Sequence, residues 1–375
     1  MEKRWTTVGN WFAACAVLVS FSVIAISAQD KGGGKDDVIR VDTQLVDVPV
    51  SVSDEQGKPV RDLKKSNFAV FEDGKPQSIE SFSTTAAPFE VALVLDTSGS
   101  TSADLQLIQR AARDFVSSMR PGDRASVIAY RGDRRDGQTV ALTEVLSFLT
   151  DDRNKLGAAI DNARTSHGTP YYDSLVQVAE MVFRDAARES VRGRRALVAL
   201  TDGVDSVSLA DFAEAKEKVS KLGAVAYFIK VDTRDFFESG LLGDCQSATR
   251  FSAAQIRRYY RSIGAKDDTE KAAGFCQLGD FERLAISKKL YEIAAAEMAD
   301  MAKTSGGRVF PVADLSEARN AFKSVADEIG TQYTVGYYST NEKRDGTYRK
   351  IKVELKGLPA ASRLRAREGY TAPSQ

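Results

Sequence analysis

The sequence predicts an α/β fold, with a doubly wound and mostly parallel sheet covered by helices on both faces, together with a β-sandwich. From residue 90 onwards, apolar strand-like runs alternate with segments of helical periodicity. The strand-like runs are apolar at nearly every position, which is typical of parallel strands buried on both faces. Residues 41–83 and the tail beyond residue 331 instead alternate apolar and polar residues around turn residues, which indicates antiparallel strands.

The elements of the α/β domain follow one another in a regular order. The apolar run EVALVLD (90–96) predicts the first strand, and Ile108, Ala112 and Phe115 then recur at the spacing of a helix. The further strands are expected at 124–130, 194–203, 224–232 and 306–312. The further helices are expected at about 151–164, 171–187, 211–223, 281–304 and 314–330.

The amino terminus has the composition of a targeting segment. A short basic start precedes an almost uncharged run over residues 11–26, and a polar stretch begins after Ala28. The apolar run is shorter than the roughly 20 residues that a spanning helix needs. It predicts a cleaved secretory signal peptide, with an uncleaved amino-terminal anchor as the alternative. We therefore expect an exported protein, periplasmic or secreted, with no membrane span in the mature chain.

The patterns together predict five segments in a chain of 375 residues, which is long enough for two domains. These are a signal peptide (1–28), a linker (29–40), the first part of the sandwich (41–86), the α/β domain (88–330) and the second part of the sandwich (331–372). Lys+Arg and Asp+Glu are balanced at 52 each, so no basic field points to a nucleic-acid partner.

Residues 233–278 interrupt the alternation of strands and helices. This insertion is polar, contains several glycines and carries the segment AAQIRRYYRSI (253–263). We interpret this segment as a short basic-aromatic helix engaged in surface packing, with a binding face as the alternative. It also contains Cys245 and Cys276, an even pair in a chain that we expect to be exported. The pair predicts a disulfide, with two unrelated thiols as the alternative.

Two apolar strands end in an aspartate, Asp96 and Asp202. Because ligands of open α/β sheets bind beyond the carboxyl ends of the strands, both carboxylates are expected at one rim. Ser98 and Ser100 follow Asp96 closely, and Thr169 lies in the loop SHGTPYYD (166–173). All of these groups are oxygen donors, which suit Mg²⁺, whereas zinc prefers nitrogen and sulfur ligands.

The segment DTSGS (96–100) resembles the D-x-S-x-S signature of von Willebrand factor A domains. Thr169 and Asp202 stand where this family places the threonine and the second aspartate of its metal-ion-dependent adhesion site. The resemblance covers about residues 88–330, and the flanking β-segments look like those of a bacterial exported subfamily described as von Willebrand factor A-related.

The resemblance implies a role for each residue. Ser98 and Ser100 would bind the metal directly, and Thr169 would join directly or after a shift of its loop. Asp96 and Asp202 would act largely through coordinated water. The implied metal is Mg²⁺, with Mn²⁺ or Ca²⁺ as alternatives, and the implied partner is a protein that offers a carboxylate. The resemblance thus implies an adhesion-type binding module rather than an enzyme.

Other interpretations of the same residues remain. The module could serve envelope assembly, with a metal that only stiffens the rim, or the polar cluster could simply stabilise a helix N-terminus. A hydrolase would use Ser98 or Ser100 as nucleophile and His167, the only histidine, as base, but neither serine lies in a G-x-S-x-G elbow. A phosphatase of the haloacid-dehalogenase type would need an acid at position 98, and no phosphate-binding glycine loop follows a strand.

Overall fold

The computed structural model describes residues 45–84, 86–135, 138–185, 187–246, 249–264 and 274–374. The predicted signal peptide and linker lie outside these residues. The strands are β1 (Leu45–Ser53), β2 (Phe68–Glu72), β3 (Lys75–Gln77), β4 (Ile79–Ser83), β5 (Glu90–Leu95), β6 (Arg124–Arg135), β7 (Gln138–Thr150), β8 (Arg195–Thr201), β9 (Val225–Val231), β10 (Arg308–Val312), β11 (Tyr333–Tyr338), β12 (Tyr348–Leu355), β13 (Arg363–Ala366) and β14 (Gly369–Thr371). The α-helices are α1 (Leu105–Ser118), α2 (Arg153–Asp161), α3 (Tyr171–Gln177), α4 (Phe212–Lys221), α5 (Arg234–Leu241), α6 (Ala253–Ser262), α7 (Asp280–Ser305) and α8 (Ala318–Gly330). In this described part of the chain, none of the helices combines the length and apolarity needed to cross a bilayer.

The central sheet has six strands in the order β10-β9-β8-β5-β6-β7, and all but β7 run parallel to their neighbours. Successive residues of β5 enter two different cores, because side chains alternate between the faces of a strand. Leu93 and Leu95 pack into one core, and Ala92 and Val94 into the other. Each fully buried leucine contributes about 1.5–3 kcal/mol of hydrophobic stabilisation.

Helices cover both faces of this sheet. The first core contains Ile108 of α1, Leu156 of α2 and Phe322 of α8, whereas the second contains Leu175 of α3 and Met298 of α7. The predicted fold class, a mostly parallel sheet with helices on both faces, is thereby confirmed.

The hairpin of β6 and β7 differs from the sequence prediction. The predicted strand ends at residue 130, but β6 continues to Arg135, and β7 returns antiparallel to it as an additional edge strand. Most of β7 is half-buried, so threonine, glutamate and serine interrupt its apolar residues and hide the strand pattern. The helix predicted over 171–187 is also shorter. It continues past α3 as a π-helical turn over Val178–Val182, in which Phe183 N donates to Val178 O.

The flanking segments form two four-stranded antiparallel sheets, ordered β13-β1-β11-β4 and β14-β12-β2-β3. Val48 of β1 pairs with Val335 of β11, so the chain before the α/β domain and the chain after it share a sheet. Both valines join Val70 of β2 and Val353 of β12 in one apolar core between the two sheets. This packing is the sandwich that the alternating patterns predict.

The insertion has structure of its own. It contains α5 and α6, and its apolar residues pack with the first half of α7 in a separate core that includes Phe251, Ile256 and Leu290. Cys245 and Cys276 are joined by a disulfide, with Cα atoms 5.1 Å apart.

Candidate metal-ion site at the carboxyl edge of the sheet

Two adjacent parallel strands bring the two predicted aspartates to the same edge. The register of β5 and β8 places Leu95 opposite Leu200, and the Asp96 amide donates to the Leu200 carbonyl over 2.9 Å. Thr201, the last residue of β8, donates from its hydroxyl to Asp96 Oδ2 over 2.6 Å. Asp202 follows directly and accepts the Val204 amide at Oδ1 over 2.9 Å. Both carboxylates are buried.

The turn after β5 places the two predicted serines side by side. The Oγ atoms of Ser98 and Ser100 lie 3.2 Å apart, and the Ser98 amide donates to Asp96 Oδ1 over 3.0 Å. The Thr101 hydroxyl is 3.0 Å from the Asp96 carbonyl and 3.0 Å from the Ser98 carbonyl, which fixes the turn. Ser98 is buried and Ser100 half-buried.

The loop of Thr169 is hydrogen-bonded to both of these strand ends. Ser166 N donates to Thr97 O over 2.9 Å, beside the serine turn. Thr169 N donates to the Ser206 hydroxyl over 2.9 Å, and Ser206 N returns a bond to Thr169 O over 3.0 Å. Thr169 is itself buried. The structure therefore brings the predicted residues together on three loops. Main-chain hydrogen bonds join the Thr169 loop to the other two.

The site concentrates negative charge in a buried environment. Burial raises the pKa of Asp96 above its ordinary value, against hydrogen bonds from Ser98 and Thr201 that lower it. Burial, and then the charge of Asp96, raise the pKa of Asp202 to about 7. Among the described residues, the groups that lower these two pKa values are hydroxyls and main-chain amides rather than lysine or arginine side chains. A divalent cation is the kind of group that relieves such repulsion between like charges.

Three further polar residues support the site and escaped the sequence prediction. Thr201 orients Asp96, and Thr233 donates from its hydroxyl to Asp202 Oδ2. Asp205 accepts the Tyr172 amide over 3.2 Å, and burial raises the pKa of Asp205 to about 6. Thr201 could have been found from its place beside Asp202 at a strand end. Nothing in the sequence connects Thr233 with the site.

The donor set fits a hard divalent cation. Three hydroxyls and two carboxylates surround the rim, and oxygen donors of this kind suit Mg²⁺, Mn²⁺ and Ca²⁺. Within the described residues, no group of three or more His, Cys, Asp or Glu side chains could hold a metal ion. A metal at this edge would therefore depend on the hydroxyl groups of serine and threonine, which are not among these four residue types.

His167 is placed outside the hydrogen-bond network of the serines. Its side chain is exposed and lines a groove of about 510 Å³ together with Arg131 and Arg164. Among the described residues, no hydrogen bond joins His167 to Ser98 or Ser100, whose hydroxyls instead contact each other. The geometry gives the hydrolase interpretation no nucleophile–base pair.

The comparison with protein families gives the class of domain. The family model described as von Willebrand factor type A domain matches residues 91–204, a segment that includes all five predicted metal ligands. Residues 91–204 are therefore a von Willebrand factor type A domain, and domains of this class are protein-interaction modules. Comparison with curated proteins gives no match.

Solved structures with a similar fold come from animals and bacteria. Proximal thread matrix protein 1 from the mussel byssus is 16% identical with a TM-score of 0.41, and the match covers 74% of this chain and 51% of that one. BatB from Bacteroides thetaiotaomicron is 18% identical with a TM-score of 0.38, covering 64% and 97%. The von Willebrand factor type A protein from Catenulispora acidiphila is 12% identical with a TM-score of 0.39, covering 89% and 75%. The match spans about half the length of the mussel protein. At these identities none of them assigns a function to this chain.

Proposed function

We propose that this chain is an exported, divalent-metal-dependent binding module that recognises an acidic residue of a partner protein. The observation that carries the proposal is the oxygen-only cluster at the strand ends, in which the Ser98 and Ser100 hydroxyls lie 3.2 Å apart next to buried Asp96. The von Willebrand factor type A match supports the coarser part of the proposal, a protein-interaction module rather than an enzyme.

The residues of the site would contribute to metal binding in two ways. Ser98, Ser100 and Thr169 would offer neutral hydroxyls, whereas Asp96 and Asp202 would supply negative charge. Thr201 and the Ser98 amide hold the Asp96 carboxylate in one orientation. A Mg²⁺ ion, with Mn²⁺ or Ca²⁺ as alternatives, would supply the positive charge that attracts the carboxylate of a partner protein. Neutral ligands leave more of that charge uncompensated than carboxylates would.

Partner association in the presence and absence of metal tests the proposal. The mature chain, residues 29–375, is immobilised and exposed to an envelope fraction with Mg²⁺ or with EDTA. We expect partner proteins to be retained with Mg²⁺, and to be lost with EDTA or in Ser98→Ala. Ser324→Ala is the matched control, because Ser324 is an exposed serine of α8 whose hydroxyl donates to Asn320 O of its own helix.

Two other outcomes would contradict the proposal. If EDTA lowers the stability of the protein but leaves the retained partners unchanged, the metal only stiffens the rim and the module serves constitutive assembly. If wild type and Ser98→Ala retain the same partners under both conditions, the metal has no part in recognition.

A further inference from the structure

The insertion contacts two of the three loops that form the candidate metal site. Its first residue, Thr233, donates to Asp202 and also lies 2.8 Å from the Tyr291 hydroxyl of α7. Val204, two residues after Asp202, is buried in the insertion's own apolar core, next to residues such as Ile256 of α6. The Asp202 loop therefore rests on the insertion by hydrogen bonding and by apolar packing.

Arg258 of α6 extends this contact to the element that follows Thr169. Its guanidinium group donates to the carboxylate of Glu297 on α7, and its Cζ atom lies 5.0 Å from the centroid of the Tyr172 ring. The Tyr172 hydroxyl donates to the same Glu297 carboxylate over 2.7 Å. About four fifths of the Arg258 and Glu297 side chains are removed from solvent. Arg258, Glu297 and Tyr172 form a closed group, which we call the Arg258 cluster.

The Arg258 cluster fixes the start of α3. Tyr172 lies in the first turn of that helix, three residues after Thr169, and its amide donates to Asp205. Removing one partner of a buried ion pair leaves the other charge uncompensated, and an arginine over an aromatic face adds a cation–π attraction. Loss of Arg258 would leave Glu297 and Tyr172 without their cation, next to the loop that carries Thr169.

The disulfide closes the part of the chain that presents Arg258. α6 lies between Cys245 and Cys276 in sequence, so their bond ties together the two ends of the segment that carries it. Cys276 is exposed and Cys245 half-buried, which leaves the bond within reach of a reductant.

We propose that Arg258 is a positioning residue for the Thr169 loop, presented by the disulfide-closed insertion. Arg258 holds the first turn of α3 through Tyr172 and Glu297, and thereby places the Thr169 hydroxyl for the metal. The insertion thus stabilises the site, and reduction of its disulfide weakens this stabilisation. This inference rests on the proposed function, because it concerns the same metal site.

Two measurements on the mature chain test the role of Arg258. Mn²⁺ affinity is measured by the electron paramagnetic resonance signal of free Mn²⁺, and amide hydrogen exchange is measured over residues 166–173 without metal. We expect Arg258→Met to weaken Mn²⁺ binding about tenfold or more, as removal of supporting partners around metal ligands does. We also expect faster exchange in that segment, because the start of α3 opens more readily.

Matched variants separate positioning from general destabilisation. Arg257→Met removes the same charge from the neighbouring position of α6 and should leave both measurements unchanged. Arg258→Lys keeps the charge and should recover part of the affinity. Reduction of the disulfide should shift both measurements in the direction of Arg258→Met. If Arg258→Met does not fold, Tyr172→Phe replaces it, since this variant keeps the aromatic ring and removes the hydroxyl that donates to Glu297.

The outcomes distinguish the positioning role from the proposed function. If wild type binds Mn²⁺ and Arg258→Met equals wild type in affinity and exchange, the positioning role is wrong and the proposed function stands. The positioning role is also wrong if Arg257→Met has effects as large as those of Arg258→Met. If wild type binds no Mn²⁺, the proposed function is wrong, and unchanged exchange in Arg258→Met would also overturn the positioning role.

Discussion

Asp96 and Asp202 are both buried, and the negative charge of Asp96 helps to raise the pKa of Asp202. Each carboxylate accepts hydrogen bonds, from Thr201 and the Ser98 amide at Asp96, and from Thr233 and the Val204 amide at Asp202. These bonds orient the carboxylates but do not offset the effect of burial, because the pKa of each aspartate is still raised. Without a cation, the buried negative charge lowers the free energy of unfolding of the protein, and this loss can be measured.

We predict that Asp202→Asn makes the metal-free protein more stable at pH 8. The folded-state pKa of Asp202 is about 7, whereas an unfolded aspartate titrates near 3.9. The folded protein therefore binds a proton more tightly than the unfolded chain, and stability falls as pH rises from about 4 to about 7. Urea unfolding in EDTA between pH 5 and pH 8 should show this fall in wild type and a smaller one in Asp202→Asn.

The exposed Asp327 supplies a control for this pH dependence. Asp327→Asn removes the same charge from the surface of α8 and should keep the pH slope of wild type. Equal slopes in wild type and Asp202→Asn would show that Asp202 does not carry the proposed charge repulsion.

Single residues were predictable where the signal is local. Asp96, Ser98 and Ser100 lie within five positions, and Thr169 and Asp202 follow from the resemblance to a known family. Arg258 was not predictable as a residue that packs beside the candidate site. Its partners, Tyr172 and Glu297, come from distant parts of the chain, and the basic-aromatic pattern around it is equally typical of a surface helix.

At the scale of elements, the sequence predicted the strands that are buried on both faces better than the edge strand. β5, β8 and β9 are continuous apolar runs, because helices cover both of their faces. β7 lies at the edge of the sheet with mostly half-buried residues, so its pattern is diluted by polar side chains. The sandwich strand β1 was recognisable because valines recur at every second position, and β12 because Ile351 and Val353 alternate with exposed charged residues.

The helices show the same dependence on surroundings. α4 begins at the N-cap Asp211, whose side chain accepts the Glu214 amide, and such a cap can be read from sequence. The early end of α3 cannot, because Val178–Val182 keeps an apolar helical pattern while the backbone widens to a π-helical turn.

At the scale of the whole molecule, one buried arginine links the two ends of the inserted α/β domain. Arg194 donates from Nε to the Pro88 carbonyl over 3.1 Å, just before β5 begins. Its Nη1 donates to the Gln332 carbonyl over 2.6 Å, where the chain returns to the sandwich, and its Nη2 to the Ile329 carbonyl over 3.4 Å. Burial lowers the pKa of Arg194 to about 10, so it remains charged at neutral pH.

We predict that Arg194→Met lowers the free energy of unfolding by at least about 2 kcal/mol, because several buried carbonyls lose a charged donor. Urea unfolding at pH 7 measures the change. Arg192→Met is the control, since Arg192 forms a more exposed ion pair with Asp47 and should cost less than about 1 kcal/mol. A loss in Arg194→Met no larger than in Arg192→Met would contradict this view of the junction.

Calorimetric titration of the mature chain with Mg²⁺ measures directly whether hydroxyl ligands hold a metal at this site. We predict binding at one site, weakened about tenfold or more in the double variant Ser98→Ala and Ser100→Ala. Binding should be unchanged in the control Ser324→Ala. A wild-type chain that binds no Mg²⁺, or a double variant that binds Mg²⁺ as tightly as wild type, would contradict a metal held by these hydroxyls.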